Sequence, residues 1–431
     1  MPAAQIQLRR PWLLGVIGLW LLLALVVPAR VWWAIISAYA LLLALAYAWA
    51  RSLALGVTWK RRVRQGIMVV GDQVIEDFEI ENNASFPLLW VEIVDHSDVP
   101  GYTANRVEAV DAHGHKYWQT QGRCERRGVF HLGPWEAISS DPLGLFLIRW
   151  QFPVERTILI YPRVVRLPEI PLPRGLARGQ AREWRPSPTE DVSASGIRPY
   201  FPGDALHRIH WRQTAHRGNL MSRTFDMEPS GDLWLVLDLD SRVQAGEGTV
   251  STEEYEVVLA ASLAAKMLAE GRRVGLACAG TAPALVAPQA GTGHLWTLLG
   301  YLARAHSAPH TSLAEFLEQM LPLFGQGRTL VIFTPATGTD WVARLAEARQ
   351  RGLAASVVWL DASTFTPEQQ TQAAGVRRAL QAMLARLDIP MFVITRDFPF
   401  EVVLKVRRKR KVLKVLPATG RVIEVEVEEE V

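Results

Sequence analysis

Two uncharged apolar runs at the start of the chain constrain its fold more than any other feature of the sequence. They are Pro11–Val27 and Val31–Ala50, and only Pro28-Ala29-Arg30 separates them. A helix of about 17–20 residues is long enough to cross the roughly 30 Å hydrocarbon core of a bilayer. Over residues 1–56 we therefore predict a transmembrane helical hairpin, with two spans joined by a tight turn.

Basic residues on both sides of these runs predict the orientation of the hairpin. Arg9 and Arg10 precede the first run. Five basic residues follow the second run, namely Arg51, Lys60, Arg61, Arg62 and Arg64. Since positive charges stay on the cytoplasmic side, we expect a protein of the cytoplasmic (inner) membrane with both termini in the cytoplasm.

A signal peptide is the alternative explanation of the first apolar run. Cleavage near Ala29 would leave one anchor helix and place the rest of the chain outside the cytoplasm. The basic cluster after Ala50 resists translocation and therefore favours the hairpin.

Between residues 57 and 165 the hydrophobic pattern changes to a period of two. Val69–Ile80 and Thr157–Tyr161 are examples, and turn-forming Gly and Asn residues separate such runs. Alternation of this kind is typical of half-buried strands, and short strands at this spacing favour an immunoglobulin- or fibronectin-type sandwich. We therefore predict a β-sandwich domain over residues 57–165.

Two polar motifs in this region have structural interpretations. His113 and His115 form a pair of the kind that can bind metal, but their place around Gly114, between two strand-like runs, favours a solvated hairpin tip. Asp141 precedes Pro142, and we expect its carboxylate to cap the turn that this proline starts.

Strand-like and helix-like runs alternate over residues 231–400. The strand-like run Leu233–Leu239, for example, is followed by the helix-like run Thr252–Glu270. This alternation predicts a Rossmann-like α/β domain, with a parallel sheet and helices on both faces. Ligands of such sheets bind at the carboxyl ends of the strands, which is where Asp238 and Asp240 stand. No GxGxxG or Walker sequence is present, so a nucleotide site is not predicted.

Charge and cysteine content exclude some classes of function. The net charge of +4 over 431 residues is too small to imply nucleic-acid binding. Cys124 and Cys278 fall in different predicted domains and form no CxxC pair, so neither a disulfide framework nor a cysteine-rich zinc site is expected.

The connector over residues 166–230 ends in a segment rich in Arg, His and Trp, Ser195–Glu228. Pro202-Gly203-Asp204 predicts a turn, and we expect Asp204 to cap a short helix that runs through Trp211. One interpretation is a metal site formed by Asp204, His207 and His210, and another is an acid–base pair of Asp204 with a histidine.

We favour a third interpretation of this segment, a buried polar clamp. Its arginines would bond backbone carbonyls and Asp204, and its aromatic residues would pack on the following domain. These residues are Arg198, Arg208 and Arg212, and Tyr200, Trp211 and Phe225.

The same segment carries a resemblance to a known family. The chain resembles the prokaryotic proteins catalogued as domain of unknown function fifty-eight, through Arg198, Tyr200, Pro202, Gly203, Asp204, Arg208, Ile209, Trp211, Ala215 and Phe225. Shorter matches are Arg127-Gly128, Gly133-Pro134, Asp141–Phe146 and Tyr161-Pro162. The resemblance implies a von Willebrand A-like fold for the α/β domain and a partnership with a MoxR-type AAA ATPase.

Von Willebrand A domains bind Mg²⁺ through an Asp-x-Ser-x-Ser sequence and an Asp after the fourth strand, and this chain departs from both. The first sequence reads Asp238-Leu239-Asp240-Ser241-Arg242, and Thr334-Pro335 replace the later Asp. A guanidinium would repel Mg²⁺, so we predict a degenerate ion site in which Arg242 replaces the ion by pairing with Asp238 or Asp240. No cofactor is therefore expected, with Mg²⁺ as the alternative.

The end of the chain, residues 401–431, divides into a basic and an acidic arm. Glu401–Lys414 is basic and Arg421–Val431 is mostly acidic. A self-neutralising charged β-hairpin is favoured over a tail whose basic arm binds anionic lipid.

Together these features predict a membrane-anchored interaction or assembly factor without catalysis of its own. Its partners would be the lipid bilayer, a MoxR-type AAA ATPase and a client protein. A Mg²⁺-dependent von Willebrand A-type ligand-binding protein is one alternative. A hydrolase that uses Asp204, His207 and His210 is the other.

Overall fold

The computed structural model describes most of the chain. The described residues are 4–27, 29–64, 66–168, 170, 196–200, 209–224, 232–309, 311–366, 373–402, 407–415 and 422–430. The chain forms two compact units. The first comprises Met1–Arg166, Leu299–Arg304 and Phe400–Val431, and the second comprises Leu167–Leu298 and Ala305–Pro399.

The chain starts with a strand and two apolar helices. These are β1 (Ala4–Leu8), α1 (Trp12–Val26) and α2 (Arg30–Gly56). Among the described residues, α2 alone is long and apolar enough to cross a membrane. By length and composition α2 is one candidate span, and the prediction of two full spans is not supported.

Helix α1 is shorter than the first apolar run because its end is set by proline. Val27, which precedes Pro28 in the sequence, is extended with φ −123° and ψ 92°, as a residue before proline prefers to be. The 15 residues of α1 cover about 22 Å, less than the roughly 30 Å hydrocarbon core of a bilayer.

Residues 57–166 form a β domain of three sheets. Its strands are β2 (Val57–Val63), β3 (Met68–Val69), β4 (Gln73–Asn82), β5 (Leu88–Asp95), β6 (Arg106–Val110), β7 (His115–Arg123), β8 (Gly128–Leu132), β9 (Trp135–Ser140), β10 (Phe146–Phe152), β11 (Arg156–Tyr161) and β12 (Val165–Arg166). The sheet orders are β1-β10-β9-β5-β6, β2-β4-β7 and β3-β11-β8. Burial alternates strictly along β4, in agreement with the period of two.

Aromatic side chains join two of these sheets through a common core. Phe78 meets Trp135 with ring centroids 5.9 Å apart, and Trp59 meets Trp150 at 5.6 Å. Trp150 and Phe78 are among the largest fully buried side chains of the described residues. Large aromatic surfaces contribute most to the stability of such a core.

Both ends of the helical hairpin are attached to this β domain. Strand β1 pairs with β10, with Leu8 opposite Phe146. At the other end, Ala46, Ala50 and Leu53 are buried, and α2 continues directly into β2. The chain therefore leaves the β domain before α1 and returns to it after α2.

Three of the basic residues that predicted the orientation are paired within the β domain. Lys60 contacts Glu79 at 2.9 Å and Arg64 contacts Asp77 at 2.9 Å. Arg61 is buried and binds Glu76 at 2.6 Å. Because charges paired with carboxylates on a strand hold that strand in place, they are weak evidence for membrane orientation. The orientation of the hairpin therefore stays a prediction.

The two polar motifs of this domain lie in turns. His113 and His115 are exposed, and His113 has a φ of 55°, which suits a tight turn. Asp141 is buried and accepts hydrogen bonds from the backbone N–H groups of Leu143 at 2.9 Å and Phe146 at 2.5 Å. The predicted capping role of Asp141 is confirmed.

The elements between Gly196 and Ile394 alternate between strands and helices. They are β13 (Gly196–Pro199), α3 (Trp211–Arg217), β14 (Met221–Thr224), β15 (Leu233–Leu237), β16 (Gly246–Glu247), β17 (Val250–Ser251), α4 (Thr252–Ala269), β18 (Val274–Cys278), β19 (Ala284–Gln289), α5 (Thr292–Arg304), α6 (Leu313–Phe324), β20 (Thr329–Thr334), α7 (Asp340–Gln350), β21 (Ala354–Leu360), α8 (Ala373–Arg386) and β22 (Met391–Ile394).

Six of these strands form one sheet in the order β19-β18-β15-β20-β21-β22. All neighbours are parallel except β18 and β19, so the predicted parallel sheet is confirmed and β19 is an unpredicted antiparallel edge. In chain order the strands stand 3-2-1-4-5-6, the order of a doubly wound sheet. Every residue of β15 is buried, as expected for a central strand covered on both faces.

The last described residues form three strands. β23 (Glu401–Val402) pairs with β12, and β24 (Arg407–Val415) pairs with β25 (Val422–Glu430) in antiparallel register. Lys409 lies opposite Glu428, and Lys411 lies opposite Glu426. The register therefore places basic positions of one arm opposite acidic positions of the other.

Candidate functional site at the carboxyl edge of the α/β sheet

The candidate site lies where β15 and β20 end side by side. The strands that follow β15 in the chain, β18 and β19, lie on one side of it in the sheet. The strands that follow β20, β21 and β22, lie on the opposite side. In doubly wound sheets this switch of direction opens a crevice outside the carboxyl ends of the two strands. Asp238 follows β15, and Thr334 is the last residue of β20, so both face the crevice region.

Asp238 is held at the floor of this crevice. Its side chain is 3% exposed, and its Oδ2 accepts a hydrogen bond from the Thr334 hydroxyl at 2.6 Å. Burial raises the pKa of Asp238 to about 6, because desolvation outweighs the hydrogen bonds that favour the charged form. The carboxyl therefore changes charge near neutral pH.

Asp240 and Arg242 form a close ion pair beside Asp238. The Arg242 Nε lies 2.9 Å from Asp240 Oδ1, and its Nη2 lies 2.7 Å from Oδ2. The Arg242 backbone N–H also donates to Oδ1 at 3.1 Å. Burial alone would raise the pKa of Asp240, but the hydrogen bonds from Arg242 hold it below its usual value. Of the two partners expected for Arg242, the structure selects Asp240.

This pairing leaves little for a metal ion to bind. Both Asp240 oxygens face a guanidinium, and Mg²⁺ requires oxygen ligands in near-octahedral geometry. Among the residues that the structure describes, no group of three or more His, Cys, Asp or Glu side chains is arranged to hold a metal ion. The arrangement is therefore suited to binding an anion or a polar group at Arg242.

A groove of about 720 Å³ opens beside the ion pair. Its walls are the loop after β15 from Arg242 to Val250, residues Pro335 and Thr337 after β20, the segment after β21, and Arg396 after β22. Arg242 leaves 58% of its side chain exposed. The groove thus combines two guanidinium groups with apolar surface from Val250.

Buried polar side chains fix the loop that forms one wall of the groove. Gln244 Nε2 donates to the Asp238 carbonyl at 2.6 Å and to Glu256 Oε1 at 3.3 Å. Thr252 Oγ1 accepts from the Ala245 N–H at 2.9 Å. Since these bonds tie the loop to the first turns of α4, the groove is preformed.

The signature residues are only partly described. Pro202, Gly203, Asp204, Arg208 and Phe225, and also His207, lie outside the described residues. Arg198 lies on β13 opposite Ser222 of β14, and Tyr200 is half-buried.

Two expectations about the described part of the signature are corrected. The helix begins at Trp211 rather than ending there, and His210 precedes it as the N-cap, its Nδ1 accepting from the Gln213 N–H at 3.2 Å. Capping stabilises the isolated first turn and gives His210 a structural role. Trp211 is 66% exposed and does not pack as the clamp interpretation expects.

Several residues of the groove escaped sequence reasoning. Arg396 follows the last strand of the sheet, 154 positions after Arg242, and no local pattern links the two. Thr334 was noted only as a missing Asp, although its hydroxyl holds Asp238. Its position at a strand end was the available signal.

An α/β domain with a doubly wound sheet and a groove at its switch point is typical of ligand- and protein-binding domains. Residues 196–363 match the model of a family described as "Protein of unknown function DUF58". The resemblance drawn from the signature residues is thereby confirmed.

The curated relatives are themselves uncharacterised proteins. The chain is 25% identical over 197 residues to "Uncharacterized protein YeaD" of Bacillus subtilis, a match that covers 45% of this chain and 47% of the relative. It is 27% identical over 136 residues to "Uncharacterized protein Rv1480" of Mycobacterium tuberculosis, covering 31% and 42%. The chain therefore spans about half the length of the relatives it matches.

Two solved structures match parts of the chain at low similarity. A von Willebrand factor type A protein from Catenulispora acidiphila matches with a TM-score of 0.23 and 9% identity, covering 39% of this chain and 44% of that one. A CARDB domain from Pyrococcus furiosus matches with a TM-score of 0.17 and 8% identity, covering 22% and 93%.

Proposed function

We propose that this protein is a membrane-anchored interaction factor that binds a partner protein through the groove at the carboxyl edge of its α/β sheet, without catalysis of its own. The observation that carries this proposal is the Arg242–Asp240 pair. In this pair the Arg242 guanidinium occupies the place where a von Willebrand A-like domain would bind a metal cation. Most of the Arg242 side chain is nevertheless exposed.

The groove has the chemistry of a protein-binding surface. Arg242 and Arg396 can bind a carboxylate of the partner, whereas Glu247 is the acidic residue of the wall. Val250 supplies apolar area beside them. Interfaces combine such apolar surface with charge complementarity, which sets specificity and association rate. A partner segment with an acidic residue beside an apolar one fits this surface.

The partner we propose is a MoxR-type AAA ATPase, as the family resemblance implies, together with a client protein. An ATPase that remodels a client needs an adaptor fixed at the place of assembly, and a membrane anchor provides that. The preformed wall of the groove lowers the entropic cost of such binding.

Arg242→Ser is expected to weaken this interaction about tenfold, since a charge pair at an interface contributes more than 1.4 kcal/mol when it is desolvated. The measurement is a pull-down from detergent extract, with the full chain as bait, a MoxR-type AAA ATPase as the quantified protein, and ATP present. Arg344→Ser is the matched control, because Arg344 pairs with Glu318 at 2.6 Å and lines no part of the groove. Equal recovery by the two variants contradicts the proposal.

The anchor we propose is the α1–α2 hairpin, crossing the membrane twice with both termini in the cytoplasm. Because α1 covers only about 22 Å, the bilayer would have to thin locally around it. Strand β1 is hydrogen-bonded to β10, and β2 belongs to the same β domain. A chain that leaves and re-enters one folded domain must cross a bilayer an even number of times. Removal of a signal peptide ending near Ala29 would also remove β1, an edge strand of the five-stranded sheet.

Cysteine labelling tests this topology. The native Cys124 and Cys278 are buried and should not react with the label. A single cysteine introduced at an exposed position, Gln5, Arg62 or Arg30, is then the residue that the label detects. With a membrane-impermeant maleimide on intact cells, we expect Arg30→Cys to be labelled and the other two to react only after lysis. Opposite accessibility of Gln5→Cys and Arg62→Cys would exclude an even number of crossings, and protection of Arg30→Cys would exclude a complete crossing.

A further inference from the structure

The turn between β9 and β10 lies beside the start of the apolar hairpin. Leu8 is paired with Phe146 at the end of this turn, and the Arg9 N–H donates to the Leu145 carbonyl at 2.8 Å. Helix α1 begins at Trp12. Four residues of chain span at most about 14 Å, so the turn and the first residue of α1 are at the same end of the sheet.

The second helix passes the same turn. The ring of Tyr47 meets the ring of Phe146 edge-on, with centroids 5.5 Å apart. Ahead of Tyr47, apolar residues of α2 such as Leu41 and Leu45 are exposed. Residues 30–45 of α2 therefore extend about 24 Å beyond the β domain, close to the 22 Å or so of α1. Both helices leave the β domain at the level of this turn.

The surface around the turn combines basic and apolar side chains. Arg9, Arg10 and Arg51 are exposed. Leu143, at the tip of the turn, exposes 55% of its surface although Asp141 fixes the backbone on both sides of it. The Asp141 carboxylate is itself buried and occupied by backbone N–H groups, so it does not offset the positive charge at the surface. Guanidinium groups, a tyrosine ring and an exposed aliphatic tip are the side chains that bind an anionic bilayer surface.

We propose that the turn Asp141–Phe146 is a membrane-surface contact. The Leu143 side chain enters the boundary between headgroups and acyl chains, while Arg9, Arg10 and Arg51 bind the phosphates of anionic lipids. The occupant of this surface is lipid, because the surface is continuous with the apolar hairpin and carries the complementary charge. The inference rests on the proposed membrane anchor. It adds that contact between the turn and the lipid headgroups fixes the distance of the β domain from the bilayer.

Depth-dependent fluorescence quenching tests the contact with the full chain in liposomes. A bimane label is placed at Leu143→Cys, at Leu41→Cys in α2, or at Val154→Cys. Val154 is exposed and follows β10, whose seven residues separate it from the turn by about 24 Å. With lipids spin-labelled near the headgroup or along the acyl chain, we expect roughly twofold or stronger quenching at Leu143 and Leu41 and none at Val154.

Each outcome has a separate meaning. Quenching at Leu41 without quenching at Leu143 overturns the contact and leaves the anchor intact. No quenching at Leu41 overturns the anchor itself. Equal quenching at Leu143 and Val154 means that the domain lies on its side, which also overturns the contact at the turn.

A charge-neutralising variant tests the role of the arginines. In liposomes with about 30% phosphatidylglycerol, Arg9→Gln/Arg10→Gln/Arg51→Gln is expected to reduce the quenching at Leu143→Cys about twofold, since basic residues near an anionic surface are attracted to it. Arg62→Gln, which removes an exposed charge of β2, is the matched control and should leave the quenching unchanged. The same loss in both variants, or in neither, overturns the role of these arginines.

Discussion

Replacing Arg61 with alanine is expected to destabilise the β domain by about 3–5 kcal/mol, the cost of leaving buried charges without their partner. Arg61 donates to Glu76 Oε2 through Nε at 3.0 Å and Nη2 at 2.6 Å, and to Asp95 Oδ1 through Nη1 at 2.8 Å. Glu76 is fully buried and also accepts a hydrogen bond from the Tyr102 hydroxyl. Without the guanidinium, two carboxylates would share one desolvated site.

The neighbouring residue provides a matched control for this effect. Arg62 is exposed on the same strand, and Arg62→Ala should change stability by less than about 0.5 kcal/mol. Because the protein has two compact units, a single melting temperature is not well defined. Hydrogen exchange of β4 in the full-length protein in detergent measures the effect locally. Equal protection of β4 in the two variants would mean that the Arg61 cluster does not hold the domain together.

The Arg61 cluster also shows where sequence reasoning reached its limit in the β domain. Period-two alternation predicts strands, because it reports which residues face the core. The pattern does not show which carboxylate a basic residue within it will bind. The partner of Arg61, Glu76, lies 15 positions away in the sequence. The sequence pattern therefore identifies Arg61 only as one of the basic residues that follow the second apolar run. Strand β1 was missed for a similar reason, since its pairing with β10 joins residues about 140 positions apart.

The α/β domain was easier to predict because its pattern is local. A strand followed by a helix and another strand forms a right-handed parallel unit almost without exception, and Asp238 and Asp240 fall at a strand end whatever the sheet order. The partner of Arg242 was left open between these two carboxylates. In the structure Thr334 donates a hydrogen bond to Asp238, and Arg242 pairs with Asp240. Thr334 lies beside Asp238 because β20 is the neighbour of β15 in the sheet, which the sequence pattern does not show.

Replacing Asp238 with asparagine is expected to stabilise the α/β domain at pH 7.5 by about 3 kcal/mol. The pKa of Asp238, about 6, lies above the ordinary 3.8 because the carboxyl is buried, so the folded protein holds this proton more tightly than the unfolded chain. The stabilisation that follows is complete below a pH of about 3.8 and is lost as the pH rises through about 6. Asparagine does not ionise and therefore escapes this loss.

The expected gain of Asp238→Asn is absent near pH 4 and grows between pH 4 and 7. Hydrogen exchange of β15, corrected for the intrinsic effect of pH, provides the measurement. Asp240→Asn is the matched comparison. Its carboxylate is held in the charged form by Arg242, so this variant loses the ion pair and should gain no stability at any pH. A pH profile for Asp238→Asn that runs parallel to the parent protein would show that Asp238 is ionised throughout. The guanidinium of Arg242 would then act on both carboxylates, whereas the geometry assigns it to Asp240 alone.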